Sequence, residues 1–537
     1  MKRILSVLLV ACMLCGALAM GASAAEPPVP VIKMTAALGH LYFNAGDVGQ
    51  YYYDPSFVDK EYTSHLLGQV MGTVPTGKWT GPPEDPSASS ELVVPERSLL
   101  DAIASSAGDL LPALQKLDFK PLDAFLDLIF EQLGQGLERG FGPISFSPDG
   151  ESRLPLDGDM LSKKRNIEYA ANGRRDLWFN YDWRESPVII ADEFFDFIEA
   201  VKQASGSKKV NVFAPSGSCA VLLAYLDKVQ KEQRENSIDR IFMSVSMAKG
   251  LTGFGELVTA SPKINIDSLA SPAFFGSLRA VGLDLGDSLD GVLSILKTLA
   301  DIGAAQPVNG VLALLLQKKI TKFFNDYLVP TALSLPMFWS YVSDSYYDEG
   351  IKGCFGGKPE YAGLVKKLDA YYKIQVRSEE ILRAAADSGV SIGMMASFGL
   401  PMLLPFGKDS TKQSDALANT TLASFGATTS DVGGVLKGKL GGLQPYKQAK
   451  TACGHNHISP DRTVDASTCL FPETTWFVAG VQHMENGRVE DLSGWFFDSP
   501  EAPTVHTDEE NRPQFRYFVR EDGKYVRVDP PAPAELT

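Results

Sequence analysis

Residues Lys209–Leu226 have the sequence KVNVFAPSGSCAVLLAYL, and the predicted architecture depends on this segment. The β-branched and aromatic run Val210–Phe213 predicts a strand, and the apolar run Cys219–Leu226 predicts a helix. The small and turn-forming residues APSGS separate the two, with Ser216 at their centre. A strand, a sharp turn with a central serine and a helix are typical of a nucleophile elbow, which exposes the serine Oγ beside a helix N-terminus.

The turn departs from the usual elbow sequence. That sequence is G-x-S-x-G, because side chains two residues before and after the serine nearly touch. Here Ala214 and Ser218 occupy the two glycine positions. A methyl and a hydroxymethyl group in such a turn are expected to cost about 1–3 kcal/mol. Because alanine and serine carry the next-smallest side chains, the segment still predicts an elbow.

Hydrophobic strands and amphipathic helices alternate around the elbow. The run consists of strands at 175–181, 210–213 and 240–246 and helices at 189–204 and 219–226. Such alternation predicts an α/β fold with a mostly parallel sheet, helices on both faces, and Ser216 at the carboxyl ends of the strands. Further core strands are predicted at Val31–Thr35, Val390–Ser397 and Thr475–Val481.

Five segments are predicted along the chain. Residues 1–25 have the basic start, apolar run and small-residue cleavage site of a signal peptide, while Cys12 leaves a lipoprotein signal as the alternative. Residues 26–247 form the first part of the core with a helical insertion at about 99–140, residues 248–388 a helical cap, residues 389–484 the second part of the core, and residues 485–537 an acidic extension with a β-hairpin. The chain is therefore expected to be secreted or held in the cell envelope.

Composition excludes some classes of function. The formal net charge is −15, and loss of the two basic residues of the leader makes it −17 (−15 − 2), which disfavours nucleic-acid binding. After the leader, no uninterrupted apolar run is long enough to predict a membrane span. The helical stripe of residues 122–133 predicts a helix packed on the protein, with contact to a lipid surface as the alternative. Cys453 and Cys469 lie close together in a loop-rich region of an exported chain, which makes a disulfide between them a candidate.

A serine hydroxyl needs a base to accept its proton, and the base needs a carboxylate to orient it. For an elbow serine both partners follow in the chain, the acid first and the histidine second. His483 comes just after the last core strand, which is the position expected for the base. His455 and His457 are the alternatives; as an H-x-H pair beside a cysteine they are only weak metal candidates, and no metal site is predicted. His506 lies in the acidic tail and is predicted to be a solvated surface residue.

Asp415 is the best candidate for the acid, because it lies in a polar turn after a predicted strand and before the histidine region. Asp409 and Asp431 are its rivals, and all three are also compatible with ordinary turn chemistry. The predicted set is therefore Ser216 as nucleophile, Asp415 as acid and His483 as base, without a cofactor.

The segment Tyr181–Arg184, YDWR, together with the downstream serine elbow that ends in Cys219, resembles the lecithin:cholesterol acyltransferase-type branch of the α/β-hydrolases. In that family a YDWR strand is followed by a helix and by G-H-S-L-G-C. The resemblance implies an α/β-hydrolase fold with a large helical cap, and transfer of an acyl group from a lipid ester to water or an alcohol. It also implies that the strand and turn at Val31–Leu41 supply an oxyanion donor, so that the backbone N–H groups of Ala37 and Gly217 form the oxyanion hole. The cap is then expected to contact a lipid surface.

Several positions differ from the family pattern. Thr35-Ala36 stand where the family has Pro-Gly, and Pro215 stands where its elbow has histidine. An oxyanion donor displaced by the bulkier turn loses about 10²–10³ in rate. The alternatives are therefore a secreted binding protein that has lost the chemistry, and an esterase acting on glycan or small-molecule esters. Asp182 and Arg184 are predicted to form a buried structural pair.

Overall fold

The computed structural model describes residues 29–36, most of 118–259, 318–402, 411–438, 444–489 and 491–532, and four short strand segments between 41 and 93. The predicted signal peptide, residues 1–25, lies outside the described residues. Residues 260–317 of the predicted cap also lie outside the described residues. The domain boundaries stay predictions. Among the described residues, no helix combines the length and the hydropathy needed to cross a bilayer.

A mostly parallel sheet of eight strands forms the centre of the protein. Its strands are β1 Val31–Met34, β2 Asp176–Phe179, β3 Val210–Pro215, β4 Ile238–Ser244, β5 Ser391–Phe398, β6 Thr475–Ala479, β7 Phe515–Glu521 and β8 Lys524–Val528. They are ordered β8-β7-β6-β5-β4-β3-β1-β2, and only the hairpin β7–β8 is antiparallel. The predicted α/β-hydrolase fold is confirmed by this order, with the elbow strand β3 near the middle.

Helices cover both faces of this sheet. The longer helices among the described residues are α1 Lys120–Gly140, α2 Met160–Ala171, α3 Pro187–Ser205, α4 Ser218–Lys231, α5 Thr252–Val258, α6 Asp344–Phe355, α7 Ala362–Gln375, α8 Ser378–Asp387 and α9 Leu492–Asp498. Short helical segments lie at Phe324–Leu328, Ala332–Ser334, Pro336–Trp339, Pro359–Tyr361, Thr420–Ala423, Ala466–Thr468, Pro472–Thr474 and His483–Arg488. Paired short strands outside the main sheet lie at Leu41–Phe43, Gln50–Tyr53, Thr76–Lys78, Glu91–Val93, Leu156–Asp157, Thr428–Thr429 and Val464–Asp465.

Alternate residues of the strands enter two separate apolar cores, as the twofold periodicity of a strand requires. Val212 of β3 belongs to the larger core, which α3 and α4 complete, whereas Phe242 of β4 belongs to the smaller core under α9. A Cβ on Gly393 of β5 would come within 2.8 Å of both Phe242 and Phe496, so glycine allows α9 to pack directly on the sheet.

The YDWR segment is buried just beyond the carboxyl end of β2. Arg184 is fully buried, and its guanidinium donates to both carboxylate oxygens of Asp182 at 2.9 and 2.6 Å. It also donates to the carbonyl of Ile144 at 3.2 Å and to the Ser152 hydroxyl at 3.0 Å. As predicted, this is a structural ion pair, and it holds the start of α3 against the loop before α2.

The described residues between β4 and β5 lie partly over the carboxyl ends of the strands, where several of them line the cavity beside Ser216. The described part packs α5 against α6, while α7 and α8 lie against α4. The backbone N–H of Leu251 donates to the carbonyl of Tyr341 at 2.8 Å, which brings the aromatic segment around Tyr341 beside the elbow.

Candidate active site

The elbow has the strained geometry that its sequence predicts. Ser216 has φ of +54°, a left-handed conformation that a side chain rarely adopts and that stores about 1–3 kcal/mol. Its N–H donates to the carbonyl of Ser244 at 2.8 Å, and its carbonyl accepts from the N–H of Met247 at 3.2 Å. The end of β4 therefore holds the turn from the side, and α4 begins two residues after the serine.

The two residues that replace the elbow glycines are accommodated without displacing the turn. Ala214 and Ser218 are both fully buried. The hydroxyl of Ser218 donates to the carbonyl of Pro215 at 2.6 Å, so the added side chain makes a hydrogen bond within the elbow. Gly217 is the position where a side chain has no space, because a Cβ there would come within 2.2 Å of the Tyr341 hydroxyl.

Ser216, His483 and Asp415 form a continuous hydrogen-bonded chain. The Ser216 Oγ lies 2.7 Å from His483 Nε2, and His483 Nδ1 lies 2.7 Å from Asp415 Oδ2. All three are buried, with exposures of 8, 7 and 1%. His483 comes from the loop after β6, Asp415 from the turn after β5 and Ser216 from the turn after β3, so parallel strands of one sheet bring all three groups to their carboxyl ends.

The turn at Asp415 fixes the orientation of its carboxylate. Oδ1 accepts the backbone N–H groups of Leu417 at 3.0 Å and Ala418 at 2.6 Å, which leaves Oδ2 for the imidazole. Ala416 between them has φ of +77°. The N–H of His483 donates to the carbonyl of Asp415 at 2.9 Å, so the two loops are also joined through their backbones.

Of the two rival acids, the structure describes only Asp431, and its carboxylate has a partner other than His483. Asp431 lies on the surface, where its carboxylate pairs with Lys412 at 2.9 Å. Asp409 lies outside the described residues.

The remaining downstream histidines that the structure describes lie together at a different place. His457 is fully buried, and the ring of His455 stacks on that of His506 with centroids 3.8 Å apart. The prediction that His506 is a solvated surface residue is wrong, because its half-buried ring contacts both other histidines.

The suggested disulfide between Cys453 and Cys469 is not formed, and both side chains are free thiols. Cys453 instead places its Sγ 3.0 Å from His457 Nε2. Although burial acts in the opposite direction, hydrogen bonds with residues 455 and 457 lower the pKa of the Cys453 thiol to about 5. Burial raises the pKa of Cys469 to about 12.

Two groups near the serine are candidates for donating hydrogen bonds to a developing oxyanion. The backbone N–H of Gly217 lies at the N-terminus of α4, where helix geometry favours negative charge. The hydroxyl of Tyr341 is buried against Gly217 and has no hydrogen-bond partner among the described residues. Burial raises the pKa of Tyr341, which keeps the phenol protonated as a donor. Ala37, the other oxyanion donor implied by the family resemblance, lies outside the described residues.

Sequence reasoning missed Tyr341 as a member of the site. It lies in the aromatic segment PMFWSYVSDSYY, which its composition assigns only to the cap. Nothing local distinguishes it from the neighbouring tyrosines, and its role depends on a contact with a residue 124 positions earlier (341 − 217).

A cavity of about 680 Å³ opens beside Ser216 and His483. Most of its lining consists of aromatic and aliphatic side chains, including Phe213, Phe242, Leu251, Phe254, Phe338 and Met395. Lys33 and Asp491 are the charged lining residues that the structure describes, apart from Asp415 itself. This composition and size are typical of a site for a small, largely apolar molecule.

No protein-family model and no curated protein sequence matches the chain. A structural comparison finds similarity to Kex1(Δ)p, a prohormone-processing carboxypeptidase from Saccharomyces cerevisiae. The sequences are 11% identical, the match covers 72% of this chain and 81% of that one, and the TM-score is 0.22. A similarity this weak indicates neither the substrate nor the activity of this protein.

Proposed function

We propose that this protein is a serine hydrolase or acyltransferase that cleaves a carboxylic ester through an acyl-enzyme. The observation that carries the proposal is the hydrogen-bonded chain from Ser216 Oγ through His483 to Asp415, with 2.7 Å at both steps. A serine on a strained turn, an imidazole at hydrogen-bond distance and an orienting carboxylate are together the requirements for nucleophilic catalysis.

In the proposed mechanism His483 Nε2 accepts the Ser216 proton while Oγ attacks the ester carbonyl carbon. Asp415 holds the Nδ1–H tautomer and stabilises the imidazolium that forms. The carbonyl oxygen becomes an oxyanion, which accepts hydrogen bonds from the Gly217 N–H and the Tyr341 hydroxyl. By resemblance, the Ala37 N–H is a further donor.

The tetrahedral intermediate then collapses. His483 gives its proton to the departing alcohol, and the acyl group stays on Ser216 as an ester. Water or a second alcohol next attacks that ester with His483 again as the base, which releases the acid or a new ester and restores the serine. All the catalytic groups in these steps are side chains or backbone N–H groups of this chain.

The lining of the cavity supports a lipid ester as the substrate class. Aromatic and aliphatic side chains predominate beside Ser216, and each methylene group that they bury contributes about 0.8 kcal/mol. Met484, which is 55% exposed, lies at the cavity and offers an apolar contact for a lipid surface. Export by the leader at residues 1–25 and contact of the cap with lipid remain predictions.

The alternatives differ from this proposal in measurable ways. A catalytically impaired binding protein does not react with a fluorophosphonate probe, whereas a live nucleophile does. We expect labelling of the wild type, loss of labelling in Ser216→Ala, and retention in Ser218→Ala, which removes a neighbouring hydroxyl from the same turn. An unlabelled wild type contradicts the proposal. An esterase for glycan or small-molecule esters is indicated if short acyl chains are the best p-nitrophenyl substrates.

A further inference from the structure

A second cluster of reactive side chains lies at the amino ends of the sheet strands, whereas Ser216 lies at their carboxyl ends. The ligand atoms of Cys453, His457 and His506 all lie within 4.8 Å of one another. Gln514, which contacts this cluster, precedes β7 and also bonds to the carbonyl of Thr475 at the amino end of β6. Because Ser216 lies at the carboxyl ends of the parallel strands, the cluster is separate from the proposed active site.

Hydrogen bonds fix which nitrogen of His457 is free. The side-chain amide of Gln514 donates to the carbonyls of Pro472 at 2.8 Å and Thr475 at 3.0 Å, so its Oε1 must face His457. That oxygen lies 2.7 Å from His457 Nδ1 and can only accept, so Nδ1 carries the proton. When His457 is neutral, as a metal ligand must be, its lone pair is therefore on Nε2, which points at the Cys453 sulfur 3.0 Å away.

The surroundings of His506 likewise fix which of its ring nitrogens is free. Its Nδ1 lies 2.9 Å from a carboxylate oxygen of Glu509, which accepts the Nδ1 proton. Its Nε2 is buried and has no partner that meets hydrogen-bond geometry among the described residues. Nε2 is therefore the nitrogen that each of these two imidazoles leaves free, and a ligand atom of each ring lies within 4.8 Å of the Cys453 sulfur.

We propose that Cys453, His457 and His506 bind a divalent transition-metal ion of the zinc class, with water in the fourth position. At a tetrahedral zinc with Zn–S of about 2.3 Å and Zn–N of about 2.0–2.1 Å, a sulfur and a nitrogen lie about 3.5 Å apart. The present separations of 3.0 Å for one pair and at most 4.8 Å for the others bracket that value, so small side-chain movements complete the site. In such sites each metal-bound histidine usually donates its other ring N–H to an oxygen acceptor that orients the ring, as Gln514 and Glu509 do here.

The metal would join two stretches that flank the core strand β6. Cys453 and His457 belong to the loop before β6, and His506 belongs to the segment between α9 and β7. The site thereby clamps the two loops at the amino ends of β6 and β7. The role of the metal ion would be structural, because the reacting serine lies at the opposite ends of the strands.

The test is a titration of the full chain, made without a histidine tag, with Co²⁺ alone and then with Zn²⁺. We expect one Co²⁺ per chain, visible bands of a four-coordinate ion, a thiolate-to-cobalt charge-transfer band in the near ultraviolet, and loss of all these bands on adding Zn²⁺. Cys453→Ser is expected to remove the charge-transfer band. His506→Gln is expected to weaken binding at least tenfold, and Gln514→Ala by about 10–100-fold.

His483→Gln is the matched control, because it removes a histidine from the other edge of the sheet and should leave the titration unchanged. The wild-type spectrum decides the question even if a variant fails to fold. Absence of stoichiometric metal, or a cobalt spectrum without a thiolate band, overturns the proposal. Loss of binding in His455→Ala with full binding by Cys453→Ser also overturns it, since the ion would then occupy His455, His506 and Glu509 instead.

Discussion

Replacing Asp415 by asparagine tests the proposed mechanism with almost no change of shape. The two backbone N–H groups that point at Oδ1, from Leu417 and Ala418, require an acceptor at that position. The asparagine oxygen must therefore take the place of Oδ1, because an NH₂ group there would face two other donors. The NH₂ group is then directed at His483 Nδ1, in place of the oxygen that lies 2.7 Å away.

This arrangement forces the wrong tautomer on the imidazole. Nδ1 must accept from the amide, so the proton of neutral His483 moves to Nε2, which faces the Ser216 Oγ at 2.7 Å. An Nε2–H cannot accept the serine proton, and the loss expected for such a tautomer change is about 10⁴ in kcat. Because the amide keeps the acceptor for both N–H groups, the variant should fold and melt nearly as the wild type does.

The assay is the steady-state hydrolysis of a p-nitrophenyl ester, with circular dichroism as the check on folding. Asp431→Asn is the control, because it makes the same change at a carboxylate 56% exposed to solvent, and a surface ion pair such as Asp431–Lys412 contributes about 0–1 kcal/mol. We expect Asp431→Asn to retain full activity. A rate for Asp415→Asn within tenfold of the wild type would refute the assignment of Asp415 as the orienting acid.

Further predictions concern the oxyanion, the acyl chain and the thiols. Tyr341→Phe removes a donor that has no hydrogen-bond partner among the residues the structure describes, and it should lower kcat by about 10² with little change in KM. An unchanged kcat would exclude the hydroxyl from the reaction. Along a series of p-nitrophenyl esters, kcat/KM should rise up to about fourfold per methylene, from about 0.8 kcal/mol each, until the cavity is filled, and a preference for acetate would argue against a lipid substrate. In metal-free protein, iodoacetamide should alkylate Cys453 at a rate that rises with pH through about 5 and then levels off, because only the thiolate reacts. Buried Cys219, whose pKa burial raises to about 12, should stay unmodified at neutral pH, and peptide mass spectrometry showing Cys219 modified first would contradict this.

Local sequence patterns were sufficient to predict the elbow and the parallel sheet around it. Val210–Phe213 and Cys219–Leu226 have periodicities that leave little choice of secondary structure, and the observed β3 and α4 begin within a residue of them. The contact of Ser216 with His483 was predictable because the order of the chain in this fold limits the candidates to a few loops.

Contacts between distant segments could not be predicted in the same way. The acidic surroundings of His506 in the sequence suggested a solvated position, but the ring lies against His455 and His457. Likewise, the spacing of Cys453 and Cys469 suggested a disulfide, whereas folding directs the Cys453 thiol to an imidazole. In both cases the deciding partner comes from another part of the chain, and no periodicity or motif records it.

The position of the long segment between β4 and β5 has a consequence for how the molecule folds. Ser244 and Met395 are paired neighbours at the centre of the sheet, yet 151 positions separate them in the chain (395 − 244). Each doubling of such a connection adds only about 0.6 kcal/mol of closure entropy, so the finished protein tolerates the insertion. The rate of folding is more sensitive, because contacts between distant segments slow it. Strands β1–β4 can assemble as the chain emerges, and until β5 arrives they present β4 as an open edge to which strands of other molecules can add.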